Sequence, residues 1–141
     1  MIRKANISDL PALTELALKL WPDNDPKDLA KELTEILNSR EAAFFLAEGD
    51  AGFAQCQLRH DYVEGTDSSP VGYLEGIFAE ESHRHRGLAK QLLAACEDWA
   101  REQGCREFAS DCELDNTGSL AFHLALGFAE ANRIICLTKK L

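Results

Sequence analysis

One short stretch of this chain, Arg84-His85-Arg86-Gly87-Leu88-Ala89, has the residue types to hold an anion. It follows an apolar, strand-like run, Tyr73-Leu74-Glu75-Gly76-Ile77-Phe78-Ala79. After it, Leu88, Leu92, Leu93, Cys96, Trp99 and Ala100 recur at helical spacing. A glycine turn feeding a helix start presents backbone N–H groups at the positive end of the helix dipole, a geometry suited to phosphate. Gly87 permits close backbone approach, and Ala89 keeps the next position small. The chain has no Gly-x-x-x-x-Gly-Lys-Ser/Thr loop, and no Gly-x-Gly-x-x-Gly after a strand. The other chemical feature is a pair of carboxylates able to take protons from a cationic group. Glu75 interrupts an apolar strand, where a charge is costly unless it faces a wet cleft. Asp111 closes the run Glu107-Phe108-Ala109-Ser110-Asp111. Plainer readings stand beside both: an outward-facing strand glutamate and a turn-initiating aspartate.

The elements that must position these residues read as strand 1–6, helix 9–20, helix 26–38, strand 43–48, strand 51–60, loop 61–70 and strand 71–79. Helix 86–103, strand 105–110, helix 117–126 and strand 128–138 complete the chain. Ser8 is placed to cap the first helix, with Pro11 in its first turn. Asp25-Pro26 opens the second, Glu48-Gly49-Asp50 is short enough for a hairpin turn, and Gly104 ends the long helix. Early helices, an antiparallel meander and then alternating strands and helices imply an α+β fold with a mixed sheet.

Composition narrows the function classes. At 141 residues and 45% hydrophobic content the chain suits one domain, 1–141. It shows no apolar run long enough to span a bilayer, and Met1-Ile2-Arg3-Lys4-Ala5 does not read as a signal peptide. Five cysteines without Cys-x-x-Cys spacing argue for a reducing cytoplasm, and with four scattered histidines they imply no metal. The formal charge of −9 argues against nucleic acid or an anionic membrane as partner. Its distribution is uneven. Residues 61–81 hold six acidic side chains and residues 107–115 four, neither with Lys or Arg, while 83–90 carries three formal positive charges. A basic slot beside an acidic groove suits an anionic donor and a cationic acceptor.

The pattern Arg/Gln-x-x-Gly-x-Gly/Ala after a strand resembles the pyrophosphate loop of the GCN5-related N-acetyltransferases (GNAT), which bind acetyl-coenzyme A. Asn116, the run Leu120, Ala121, Leu124 and Ala125, and then Leu126-Gly127-Phe128 resemble that family's second signature. The likeness covers nearly the whole chain. It implies the GNAT acyl-CoA N-acyltransferase fold, an α/β three-layer sandwich with a mostly antiparallel central sheet and helices on both faces. The strands at 71–79 and 105–110 would splay to admit the coenzyme. By the family pattern, Ile77, Phe78 and Ala79 would contact the acetyl and pantetheine portion through their backbone. Arg84, His85, Arg86, Gly87, Leu88, Ala89, Lys90, Asn116 and Ser119 would complete the cofactor contacts. Asn116 also reads as a helix N-cap.

Acetyl transfer to an amine needs a base, an oxyanion donor and a proton for the leaving thiolate. Glu75 and Asp111 are the candidate bases, one of which can instead bind a second ammonium. Many family members have tyrosine seven residues after the motif asparagine, where this chain has His123. Histidine can act as the acid, or it can simply hydrogen-bond nearby backbone. Several segments resemble the aminoglycoside 6'-N-acetyltransferases, a dimeric group: Leu20-Trp21-Pro22, Arg59-His60-Asp61-Tyr62-Val63, Asp67-Ser68-Ser69-Pro70-Val71, Leu74-Glu75-Gly76-Ile77-Phe78 and Ala109-Ser110-Asp111. That resemblance implies a homodimer and a polycationic acceptor facing Asp61, Glu64, Asp67, Glu75 and Asp111, with Trp21 or Tyr62 stacking on sugar rings. Trp21 also reads as a core aromatic at a helix end. Two other functions stay open: acetylation of a polyamine or peptide amine, and a non-catalytic acetyl-coenzyme A-binding module.

Overall fold

Strict alternation in the second strand sets the layering of the molecule, a computed structural model that describes residues 1–83 and 87–141. In β2 (Ala42–Ala47) every side chain is buried. Ala43 and Phe45 join one core cluster, and Phe44 and Leu46 join another on the opposite face. The sheet runs in the order β1 (Ile2–Lys4), β2, β3 (Gly52–Arg59), β4 (Val71–Ala79) and β5 (Phe108–Ala109). All pairings are antiparallel except β4 with β5, which is parallel. One face is covered by α1 (Leu10–Leu20) and α2 (Pro26–Leu37) through Leu13, Leu16, Ala17, Leu29 and Leu33. The other is covered by α3 (Leu88–Glu102) through Leu92, Leu93, Cys96, Trp99 and Ala100. A further helix, α4 (Thr117–Ala125), follows β5. Among the described residues, no helix is long and apolar enough to cross a membrane.

Helix ends follow local chemistry. Asp25 caps α2 by accepting from the N–H groups of Lys27 and Asp28. At the start of α1 the expected cap at Ser8 is replaced. A 3-10 turn, Ile7–Asp9, precedes the helix, and Asn6 caps it in a capping box with Asp9. Two N–H groups close α4: Phe128 donates to the His123 carbonyl at 3.1 Å and Gly127 to that of Leu124 at 3.3 Å. Gly127 has φ of +96°, the left-handed conformation that this C-terminal motif requires.

Two strands depart from the sequence reading. β5 is only Phe108–Ala109 rather than 105–110, because Cys105 is tucked back beneath α3, its N–H donating to the Ala100 carbonyl at 2.9 Å. The strand expected at 128–138 is not formed. Its β-favouring residues are there, but a strand needs a hydrogen-bonded neighbour, and this segment runs out over the 62–66 loop instead. Asn132 Nδ2 donates to Glu64 Oε1 at 2.9 Å, and Arg133 pairs with Glu130. Ile134, Ile135 and Leu137 consequently lie exposed at 67%, 86% and 86%.

Candidate active site

The parallel pairing of β4 and β5 lasts for two residue pairs, Gly72 with Phe108 and Tyr73 with Ala109. β4 continues to Ala79, so a gap opens beyond Tyr73. At its mouth β4 is irregular. Gln55 of β3 pairs with Gly76 but Cys56 pairs with Leu74, which leaves Glu75 as the extra residue of a β-bulge. A bulge re-aims a side chain and breaks the ladder locally, and such features gather beside active sites. Gly76 follows because no side chain fits there: a Cβ would lie 2.6 Å from the Trp21 ring. Trp21 itself is half-buried, its ring edge-on to Phe53 at 6.0 Å. It thus covers the strand beside Glu75, packed at the end of α1 as its plainer sequence reading has it.

Glu75 and Asp111 are brought into one network. Arg59, at the end of β3, donates from Nη2 to Glu75 Oε1 at 2.7 Å and to Oε2 at 3.3 Å. Its guanidinium carbon lies 3.4 Å from the centroid of the Tyr73 ring. The Tyr73 hydroxyl in turn donates to Asp111 Oδ2. Burial first, and then the Asp111 hydrogen bond, hold that phenol well above its usual titration range, so it stays a donor. The Glu75 side chain is 22% exposed and that of Arg59 is 38% exposed. Glu75 is therefore neither buried alone nor turned fully to solvent.

His123 of α4 faces the same end of the sheet. Its Nδ1 lies 2.7 Å from the Ser119 carbonyl oxygen, which can only accept, so Nδ1 carries the proton. Nε2 then faces Ser110 Oγ, 2.8 Å away, within hydrogen-bond reach. The ring is held edge-on between Phe122 and Phe128. Of its two sequence readings, the hydrogen bond to nearby backbone is present, and the other ring nitrogen faces the Ser110 hydroxyl.

Of the expected phosphate turn, Arg84, His85 and Arg86 fall outside the described residues. Gly87 stands at the N-cap of α3 with φ of +76°, and among the described residues a Cβ there would meet nothing within 4 Å. Leu88, Ala89 and Lys90 form the first turn of α3, whose amides have no acceptor within the helix. Asn116 accepts from the Ser119 N–H at 3.1 Å, the N-cap role read from sequence. Asp61, Tyr62, Glu64 and Asp67 lie exposed on the 60–70 loop. That loop is tied down by Glu107, which accepts from the Asp67 N–H at 2.9 Å and from the Ser68 hydroxyl. These bonds lower the Glu107 pKa. A cavity of about 1630 Å³ at this end is lined by Arg59, Tyr62, Tyr73, Asp111 and His123 and also by residues 129–136. Among the described residues, no group of three His, Cys, Asp or Glu is arranged to hold a metal ion.

Residues 10–128, which span the splayed parallel pair, the bulge and the glycine-headed helix, match the model of the acetyltransferase (GNAT) family. The chain belongs to the GNAT family. Its mixed sheet flanked by helices is the GNAT fold. An aminoglycoside N(6')-acetyltransferase type 1 of Stenotrophomonas maltophilia is 46% identical, over 95% of this chain and 89% of that protein. Another, from Serratia marcescens, is 43% identical over 100% and 99%. Among solved structures, AAC(6')-Iy in complex with the bisubstrate analog CoA-S-monomethyl-acetylneamine superposes with a TM-score of 0.95. It is 44% identical and covers 100% of this chain and 98% of that one. Three residues that bond to the candidate side chains here stand in the sequence within longer segments but are not singled out there as site residues. Arg59, Tyr73 and Ser110 lie in ordinary strand or strand-end positions, and only cross-strand register joins them. The bulge left one trace, the glycine following Glu75.

Proposed function

We propose that this protein transfers the acetyl group of acetyl-coenzyme A to the 6'-amine of an aminoglycoside, as a single domain over residues 1–141. The observation that carries the reading is the joining of Glu75 and Asp111, through Arg59 and Tyr73, at the mouth of the β4–β5 gap. The aminoglycoside N(6')-acetyltransferase relatives support it along nearly the full chain. The open Gly87 turn and the gap suit the coenzyme, which supplies an activated acyl thioester when bound. Residues 84–90 and Asn116 hold its phosphates, and the backbone of 77–79 aligns the acyl arm and stabilises negative charge on the carbonyl oxygen.

An acceptor amine with a lysine-like pKa near 10.4 costs about 4–5 kcal/mol to deprotonate at pH 7. Glu75 takes that proton, directly or through water, and Asp111 orients a second ammonium. The freed nitrogen then attacks the thioester carbon, and the carbon–sulfur bond breaks. His123, when protonated, donates through Ser110 toward the departing sulfur, since its Nδ1 proton is held by the Ser119 carbonyl. Asp61, Glu64 and Asp67 give the acceptor side its negative field, with Tyr62 and Trp21 offering ring faces.

Steady-state assays test the acceptor. Turnover of 6'-amino but not 6'-hydroxyl aminoglycosides is the expected result. Turnover of polyamines alone would replace the acceptor, and coenzyme binding without any turnover would remove the enzyme. The same reading places the protein in the cytoplasm, where acetyl-coenzyme A is made and five unpaired cysteines stay reduced. It also makes the protein a homodimer, supported by exposed Ile134, Ile135 and Leu137 on a strand-competent segment without a neighbour. Light scattering should give about twice the 15.6 kDa chain mass, and a monomer at micromolar concentration would refute this.

A further inference from the structure

Arg59 is an unusual resident for an acidic site that is to receive a cation. Its guanidinium sits in a seat with an aromatic floor, the Tyr73 ring at 3.4 Å, and a carboxylate wall, Glu75 at 2.7 and 3.3 Å. An aromatic face beside a carboxylate is what recognises an organic ammonium. The cross-strand register builds that seat. Arg59 pairs with Val71, and Gln57 with Tyr73, so the arginine reaches diagonally over the tyrosine. The bulge then brings Glu75 round to meet its tip.

We infer that Arg59 is an internal stand-in for the acceptor, filling the cation seat on Glu75 and Tyr73 until an acceptor ammonium displaces it. This rests on the function proposed above and adds a residue that governs acceptor affinity. The arrangement suits exchange. Arg59 ends its strand, its side chain is 38% exposed, and the next residue, His60, is already on the surface. The guanidinium can therefore swing into water without leaving a buried charge behind. Meanwhile Glu75 never stands uncompensated, since one cation leaves as another arrives. A half-buried ion pair with a cation–π contact is a modest hold, worth about tenfold in an equilibrium. Arg59 thereby weakens every acceptor by that factor, and an acceptor with several positive charges overcomes it more readily than a monoamine.

The test is Arg59→Met, which keeps the packing over Tyr73 and removes the charge, with Arg59→Lys as the conservative partner. Thermal melting first confirms that both variants fold. Calorimetry then measures binding of a 6'-amino aminoglycoside to each protein at low and high salt, without coenzyme, and steady-state rates follow. Arg59→Met should bind the aminoglycoside about tenfold more tightly, with a steeper loss of affinity on adding salt. KM should fall accordingly and by a larger factor than kcat changes, and Arg59→Lys should return both toward wild type. Weaker binding, or a loss of kcat at unchanged KM, would make Arg59 a mere prop for Glu75 and overturn the inference. Binding that tightens in a protein that acetylates nothing would instead refute the proposed function and leave the stand-in role intact.

Discussion

Replacing Glu75 by glutamine separates a base from a structural ion pair, because the two roles differ in size. The substitution keeps the shape and leaves an amide oxygen to accept from Arg59, but removes the charge and the basicity. With the partners 22% and 38% exposed, the lost ion pair is worth about 0.2–1 kcal/mol of stability. For a chain of this length that is a fall in Tm of roughly 4 °C or less. A general base contributes about 10²–10⁴ in rate, equivalent to roughly 3–5 kcal/mol at 1.36 kcal/mol per decade. The expected loss in kcat is therefore several times larger, in free energy, than the loss in stability. Coenzyme affinity should change less than twofold, since the phosphate contacts proposed for residues 84–90 lie on a different segment from β4. Three measurements decide it: initial rates at saturating acetyl-coenzyme A, calorimetric titration with coenzyme A, and a thermal melt. A kcat within threefold of wild type would remove Glu75 from proton transfer. A parallel collapse of kcat and coenzyme affinity would show that the β4 bulge had been disturbed, and the reasoning would fail on that side.

Gly76→Ala should cost about 1–3 kcal/mol by overpacking, because its Cβ would lie 2.6 and 2.7 Å from two Trp21 ring carbons and 3.1 Å from Leu20; an unchanged Tm would refute that contact. Gly87→Val should lower coenzyme affinity at least tenfold by crowding the phosphate turn. Because nothing among the described residues meets a Cβ there within 4 Å, its stability cost should be only about 1–2 kcal/mol of backbone strain at φ +76°, and retained coenzyme binding would count against the turn. Acid stability should depend on Asp9, whose pKa the Arg3 hydrogen bond and the Asn6 N–H hold down at about 2, from 3.8. A folded-state pKa below the unfolded one stabilises above the unfolded value and is lost as pH falls through the folded one. Denaturant titrations of Asp9→Asn should therefore show a shallower fall in stability between about pH 3.8 and about 2, and an unchanged slope would reassign it.

Local pattern was enough wherever a residue's role depends on its own segment. The apolar stripe of α3, the Asp25 cap, the Asn116 cap and the glycine after α4 were all legible because each is set within one turn of helix. The splay of β4 from β5 was legible through family likeness. What the sequence could not show is everything that depends on register. Period-two alternation treats Glu75 as one more strand residue, yet the bulge makes it the unpaired one, and only then does it meet Arg59 from the neighbouring strand. His123 was readable as a polar helix residue at a motif interval, but the Ser110 hydroxyl that completes its bonding belongs to the far side of β5.

The segment 128–138 marks the same boundary from the other direction. Its residues favour a strand, and β-propensity is mostly a measure of packing against neighbours, so it expresses itself only where an edge is offered. Within one chain the edge beyond β5 is two residues long, and the segment leaves it. If a second copy offers the missing edge, Ile135→Asp should produce a monomer with an unaltered α1–α3 core, since Ile135 packs against neither core cluster of its own chain. A dimer of undiminished affinity in that variant would mean that the apolar stretch serves something other than self-association, and the pairing edge would have to be sought elsewhere on the sheet.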